Sequence, residues 1–163
     1  MATYLFAMNP KLWQWTDLAA DRRKLAKKGF LDIEWSSGRA KQIEPGSRAF
    51  LVRLGVPPKG LFGAGVTMTW PEAGPHWRAE KAAAGIATNH LKIRLEALFD
   101  LPIVTFDDFA KPPFSRFRWA VRQSGTRVPS TIADAVEDLW EGRMRTAAAE
   151  ASRASKARRS RRG

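Results

Sequence analysis

Residues 33–55, IEWSSGRAKQIEPGSRAFLVRLG, set the reading of the whole chain. Within them, residues 48–54 (RAFLVRL) are mostly apolar and lie between Pro45-Gly46 and Gly55, the pattern of a buried strand bounded by turns. Just ahead of it, Trp35-Ser36-Ser37-Gly38 places a large ring beside two hydroxyls, with Arg39 and Lys41 following. Such a group can stack on a planar ring, hydrogen-bond its edge and neutralise a phosphate. A core tryptophan followed by an ordinary turn has the same composition, so the flanking sequence must choose between the two.

Working outward, residues 3–8 (TYLFAM) read as a first strand, ended at Asn9-Pro10 because proline has no donor for a continuing ladder. Thr16 can cap a helix running to about residue 28, with Gly29 as its stop. Residues 61–69 read as a return strand paired with 48–54, and Gly63 and Gly65 in it invite a bulge or the close approach of another backbone. Residues 70–87 lose strand character and form a long irregular segment carrying Trp70 and Trp77, a kind of segment that is more often functional than decorative. In residues 90–98 (HLKIRLEAL), Leu91, Ile93, Leu95 and Ala97 share one face of a strand. Residues 102–105 suit a short edge strand and 107–109 a helical turn. A last helix starts at Pro129-Ser130, with Ile132, Ala135, Val136, Leu139 and Trp140 at helical spacing. Trp13, Trp15, Trp119 and Trp140 are assigned mainly to the core.

A chain of 163 residues with 44% apolar residues can build one domain with a proper core. Its net charge of +12 points to a polyanionic partner, nucleic acid above all. From residue 143 onward there are eight Lys/Arg and one Glu, +7 of that total, so residues 1–142 carry only +5. The expected organisation is therefore a domain over 1–142 and a basic, disordered or fraying arm over 143–163, which has almost nothing to bury.

Reactive chemistry is sparse. The absence of cysteine excludes disulfides, thiolate zinc sites and thiol catalysis. His76 and His90 lack metal-ligand spacing, and neither a phosphate-cradling GxxxxGK[ST] loop nor a GxSxG elbow occurs. Asp107-Asp108 reads as a helix cap or a solvated face, and His76 as at most a contact to a ligand edge. No metal, no cofactor and no enzymatic activity are expected. With no run near the ~20 apolar residues of a membrane span and no signal pattern, a cytoplasmic protein is expected.

The binding inventory is richer. Trp35 precedes the central strand and Trp77 follows its partner strand, so adjacent strands can deliver both rings to one end of a sheet and form a slot for a flat base. Stacking contributes roughly 1–3 kcal/mol per base, whereas extruding a base from a duplex costs a few kcal/mol, so hydrogen bonds must add to the slot. Asn9, Ser36 and Ser37 are suited to the base edge, with Trp70 as a further wall. Arg39, Lys41, Arg118 and Arg122 are suited to the nucleic-acid backbone.

The segments YLFAMNP at 4–10, WSSG at 35–38, PGSRAFLVRLG at 45–55, KGLFGAG at 59–65, PHW at 75–77 and QSGTRVP at 123–129 resemble, in their order, EVE domains. These belong to the PUA-like superfamily with the YTH and ASCH domains, and also occur fused to HNH nucleases in modification-dependent restriction systems. The resemblance spans about residues 3–141. It implies an α+β fold, a β pseudo-barrel of five to six strands with flanking helices, whose pocket accepts a flipped, chemically modified base. Trp35 and Trp77 match the pocket walls, Asn9 the polar position closing the first strand, Ser36 and Ser37 the segment that bonds the base, and Ser124-Gly125 a serine-glycine turn. Val121 stands where a proline is frequent. No HNH motif follows residue 141, so the resemblance implies a reader of modified DNA with a nuclease as a separate partner. The competing expectations are a binder of modified or structured RNA, a nonspecific basic DNA-binding protein, and a base-modifying enzyme using His76 or Asp107 with Asp108.

Overall fold

The strand expected at 48–54 is β3, numbered here after β1 (Thr3–Met8) and β2 (Leu31–Gly38); it covers Arg48–Arg53 and lies at the centre of one curled sheet. The computed structural model describes residues 1–163. Along the chain, α1 (Leu18–Lys28) joins β1 to β2, and β3 is followed by β4 (Gly60–Thr67), β5 (Glu72–Pro75), α2 (Ala79–Ala83) and β6 (Ala87–Leu98). Then come β7 (Val104–Thr105), α3 (Phe106–Phe109), β8 (Thr126–Arg127) and α4 (Ser130–Arg162). The sheet runs β2-β6-β4-β3-β1-β8, with β5 added to β6 and β7 to β4. β1 and β3 are parallel, Thr3 opposite Arg48 and Met8 opposite Arg53, and the crossover that a parallel pair requires is made of α1 and β2.

The fold is the expected α+β arrangement of a curled, half-barrel sheet with flanking helices, with eight strands in place of five to six. β7 falls within the edge strand expected at 102–105, whereas β8, of two residues, was not expected, and β5 arises inside the segment read as irregular, which also holds α2. The strand over residues 90–98 starts earlier, at Ala87. β2 was not expected as a strand, although LDIEW alternates: Leu31, Ile33 and Trp35 are half-buried, Asp32 and Glu34 exposed. Ser37 continues the inward face of Leu31, Ile33 and Trp35 and is fully buried, and a register shift lies between Ser36 and Gly38. Gly63 and Gly65 sit at register shifts of β4 against its two neighbours, and a Cβ on Gly65 would lie 2.1 Å from the Arg94 carbonyl oxygen.

Because strand side chains alternate, the two sheet faces carry separate cores. One gathers Phe6, Leu51, Phe62, Leu91, Ile93 and Leu95, with Trp15, Trp35, Leu18 and Leu25 against it. It draws on β1 and β2 together, strands that are far apart in sheet order, so this is the enclosed face. The other core holds Phe50, Val52, Val104, Phe109, Trp119 and, from α4, Ile132, Val136 and Trp140. Each fully buried Leu, Val or Phe among these contributes about 1.5–3 kcal/mol. Trp119 stacks on Phe109 at 3.6 Å between ring centroids and Trp140 meets Phe50 edge-on at 5.5 Å, so both are core residues as expected.

α4 is fastened to the sheet by charge as well as by apolar contact. Arg48 of β3 donates to Glu137 of α4 and to Glu96 of β6, the latter at 2.9 Å, and its guanidinium lies 5.1 Å from the centre of the Phe50 ring. Burial opposes its charge, but the bonds to Glu137 and Glu96 outweigh that and hold Arg48 above its ordinary value. Farther along, Arg143 donates to Asp108 at 2.6 Å. The other carboxylate oxygen of Asp108 accepts from the Thr105 backbone N–H and closes the capping box of α3, so this carboxylate is a cap and an anchor. The arm expected to be irregular over 143–163 is instead the continuation of α4 to Arg162. Its alanine-rich, arginine-rich composition has high helix propensity, although Trp140 is the last buried side chain.

Replacing Arg48 by methionine leaves Glu137 facing the sheet without a partner. The expected loss is about 1–3 kcal/mol, the range for a charge-assisted hydrogen bond, read as a lower midpoint of urea unfolding with an unchanged slope. An unchanged midpoint would show that the bridge adds nothing to stability.

Candidate functional site

The sheet leaves a gap between its curled ends, where β2 approaches β1 without pairing to it. The Ala7 backbone there is satisfied by side chains: the Trp35 indole Nε1–H donates to the Ala7 carbonyl at 3.2 Å, and the Ser124 hydroxyl accepts from the Ala7 N–H at 2.8 Å. The turn at Gly125 closes tightly over the end of β2. With φ of +81°, Gly125 holds a left-handed conformation, and a Cβ on it would come within 2.8 Å of the Ser37 carbonyl oxygen and of Ala40. Above this seam lies a cleft of about 1100 Å³, walled by the ends of β1 and β2, residues 12–17, the His76–Trp77 segment, the start of β6 and residues 121–124.

Four tryptophans line it. Trp13, Trp15 and Trp35 form a mutual cluster, with ring centroids 5.4–5.8 Å apart. The two deeper rings are committed internally: Trp35 to Ala7, and Trp15 through its Nε1–H to Asp21 at 2.7 Å and edge-on to Phe62 of the core. Trp13 and Trp77 are 40% and 43% exposed, and together they also line an adjoining recess of about 240 Å³ with Lys11 and Arg78. Trp13 and Trp15 thus belong to the cleft and not only to the core. Their alternate spacing in KLWQW hints at one shared neighbourhood, but that Trp35 completes it follows only from the fold.

Of the residues expected to bind a base, Asn9, Trp35, Ser36 and Trp77 meet in this cleft. Asn9 shapes the wall: its carbonyl accepts from the N–H of Leu12 and Trp13, at 2.9 and 3.0 Å, and so builds the turn that presents Trp13. Its side-chain oxygen accepts from Lys11 N–H at 3.0 Å, which leaves the amide NH₂ for another partner, and Gly55 lacks the Cβ that would collide with it. The Ser36 hydroxyl is already shared with Thr88 at 3.0 Å and accepts from Gly38 N–H. Ser37 lies outside the cleft, buried, donating to the Ala40 carbonyl at 3.0 Å. Trp70 is 51% exposed and lines no part of the cleft, because β5 carries the chain away after it.

Charge in the cleft is balanced. Its lining holds three cations, Arg39, Lys81 and Arg122, and three acids, Asp17, Asp21 and Glu34. Lys41 and Arg118 are exposed elsewhere, with Arg118 donating to the Ala120 carbonyl. Gln123, missed by sequence reasoning, is exposed and lines the cleft. No three His, Asp or Glu side chains stand close enough to share a metal ion.

The two histidines differ in role. His90 reaches the Pro75 carbonyl at 2.8 Å, and since a carbonyl only accepts, Nε2 carries the proton. The His76 ring lies 5.3 Å from that of Trp77, tilted by 30°, and its Nδ1 accepts from Arg78 N–H at 3.0 Å. Burial, then the charges of Lys81 and Arg78, push His76 below the usual histidine value, so it is neutral at pH 7.

Among solved structures, the fold is similar to that of a hypothetical protein from Leishmania major, with a TM-score of 0.57 at 11% identity over 87% of this chain and 96% of that one. A protein from Pseudomonas syringae aligns with a TM-score of 0.56 at 16% identity, over 85% and 99%. One from Agrobacterium tumefaciens gives 0.51 at 16%, over 87% and 93%. At such identities the likeness is one of fold. No family model and no curated protein matches the sequence.

In a pH titration followed by NMR of the ring protons, His76 is expected to titrate below about 6.5, charging only as pH falls through that lowered value and staying unchanged from pH 7 upward. A midpoint at or above about 6.5 would mean that neither burial nor the charges of Lys81 and Arg78 disfavour its charged form.

Proposed function

We propose that the cleft binds a planar base presented by a nucleic acid, and that the chain reads a modified base, a modified cytosine or N6-methyladenine in DNA. The convergence of four tryptophan rings on one cleft carries this reading. Two of them, Trp13 and Trp77, keep open faces at its mouth, while Trp35 and Trp15 form a rigid floor behind them. A rigid apolar wall holds a flat, uncharged ring without ordering cost, and two stacking faces together approach the few kcal/mol needed to hold a base out of a duplex.

The balanced charge supports the same ligand class. A phosphate inside the cleft would meet Asp17, Asp21 and Glu34, whereas a neutral base would not be repelled, and Arg39 and Arg122 can take the flanking phosphates. The NH₂ of Asn9 offers donors to a base edge, and the amide of Gln123 can offer a donor and an acceptor. The resemblance to EVE domains supports a modified base in particular, and it supports a separate nuclease as the partner that would act on what is read.

Binding of oligonucleotides identical but for one modified base tests this reading. Trp77→Ala and Trp13→Ala are each expected to lower the preference for the modified oligonucleotide by tenfold or more, about 1.4 kcal/mol, while Trp70→Ala leaves it intact. Trp35→Phe keeps a ring but loses the bond to Ala7, so it should cost about 1 kcal/mol of stability with most of the preference retained. Equal binding of modified and plain DNA by the wild-type chain would reject the reading. A consistent advantage for matched RNA would move the target from DNA to RNA.

A further inference from the structure

Beyond Trp140, α4 continues to Arg162, a projection of about 33 Å at about 1.5 Å per residue. From Ala147 onward every uncharged residue in it is alanine or serine, and Glu150 is its only acid. Six cations, Arg153, Lys156, Arg158, Arg159, Arg161 and Arg162, are exposed, and none enters an ion pair. At about 100° per residue they surround the helix and do not form a stripe.

Three physical consequences follow. There is no apolar face to settle into a membrane interface or to form the seam of a coiled coil. Like charges three and four residues apart, Arg158 with Arg161 and Arg162 among them, repel and weaken the helix unless something neutralises them. That neutralising charge must come from more than one side at once. A flat anionic surface meets only one side, whereas the major groove of B-form DNA has phosphates along both walls, is about 12 Å wide and admits a helix. Alanine and serine keep this helix slender, and its length is close to one turn of the duplex, about 34 Å.

We propose that the distal half of α4 lies in the major groove of double-stranded DNA and holds the duplex through its phosphates without reading its sequence. The proposal rests on nucleic acid being the partner, but not on the cleft accepting a base. It selects DNA over RNA duplexes, because the major groove of A-form RNA is too narrow for a helix.

The test uses the full chain and a variant carrying Arg158→Gln, Arg159→Gln, Arg161→Gln and Arg162→Gln, which removes four charges from exposed positions and keeps good helix formers. The probe is an unmodified, mixed-sequence DNA duplex of about 20 base pairs, two turns; the comparators are its single strand, the matching RNA duplex and vesicles containing phosphatidylserine. The wild-type chain should bind the DNA duplex most tightly, gain helical circular dichroism on binding, and protect guanine N7, a major-groove atom, from dimethyl sulfate. The variant should bind the duplex at least tenfold more weakly at physiological salt, lose the N7 protection, and show a log-log salt slope shallower by about 3 to 4. An unchanged slope, no N7 protection, or equal binding to single strand, RNA duplex or vesicles would each overturn the proposal. The same four-arginine variant separates it from the cleft reading, since its loss of affinity should be equal for modified and plain duplex, leaving any preference between them unchanged.

Discussion

A single hydrogen bond, from the Trp35 indole N–H to the carbonyl of Ala7, joins the two ends of the curled sheet at the point where no strand pairing does so. Ala7 lies on β1 with its N–H and C=O turned toward the gap, and an unsatisfied pair of buried backbone groups there would cost more than the net gain of an ordinary bond. Ser124 and Trp35 satisfy one group each. The same contact fixes the Trp35 ring, which fixes Trp13 and Trp15 around it, and those three rings form one wall of the cleft. Closure of the sheet and formation of the site are therefore one event. The tight fit of Gly125 over Ser37 and Ala40 belongs to the same closure, and it explains why a serine-glycine pair stands at that turn.

The division of labour among the tryptophans follows from where their polar ends go. A buried indole N–H needs a partner, and both Trp35 and Trp15 find one inside the protein. Their rings are thereby held in place and act as a surface. Trp13 and Trp77 stand at the rim with much of their area in water, so a ligand stacking on them would gain the hydrophobic term that the folded protein has left unused. The neutral His76 beside Trp77 adds flat area to that rim without adding charge.

Helix α4 joins two regimes in one element. Its first part is held by Val136 and Trp140 in the outer core and by the Arg48–Glu137 and Arg143–Asp108 pairs, where partly buried charges are matched and hydrogen-bonded. Beyond Met144 its second part makes no contact with the core, and Glu150 is its only acid. The change comes close to Arg143, the point where the composition turns to alanine, serine and arginine. One half of the helix is thus completed by the domain, and the other half has its electrostatic complement outside it.

Much of the fold is legible in the chain because local pattern and burial agree: TYLFAM and RAFLVRL are apolar on both faces, HLKIRL alternates Leu91, Ile93 and Leu95 toward one core, and each is a strand, although the register shift at Gly65 sends Ala97 to the other core. Gly63 and Gly65 announce the bulges of β4, and Gly29 ends α1 in a left-handed turn with φ of +84°. β2 was hidden because only Leu31, Ile33 and Trp35 of its residues are large and apolar, and β5 because a short strand holding glycine and proline takes its order from its partner, β6. Of the site, Asn9, Trp35, Ser36 and Trp77 could be named from composition and position. By itself, then, the sequence determined which segments can be strands and helices, and that aromatic and basic side chains exceed what a core of this size needs. Only the tertiary structure decided that Trp13 and Trp15 join Trp35 and that Trp70 lies outside the cleft. Those outcomes depend on the closing of a curled sheet, which is set by contacts between residues far apart in the chain.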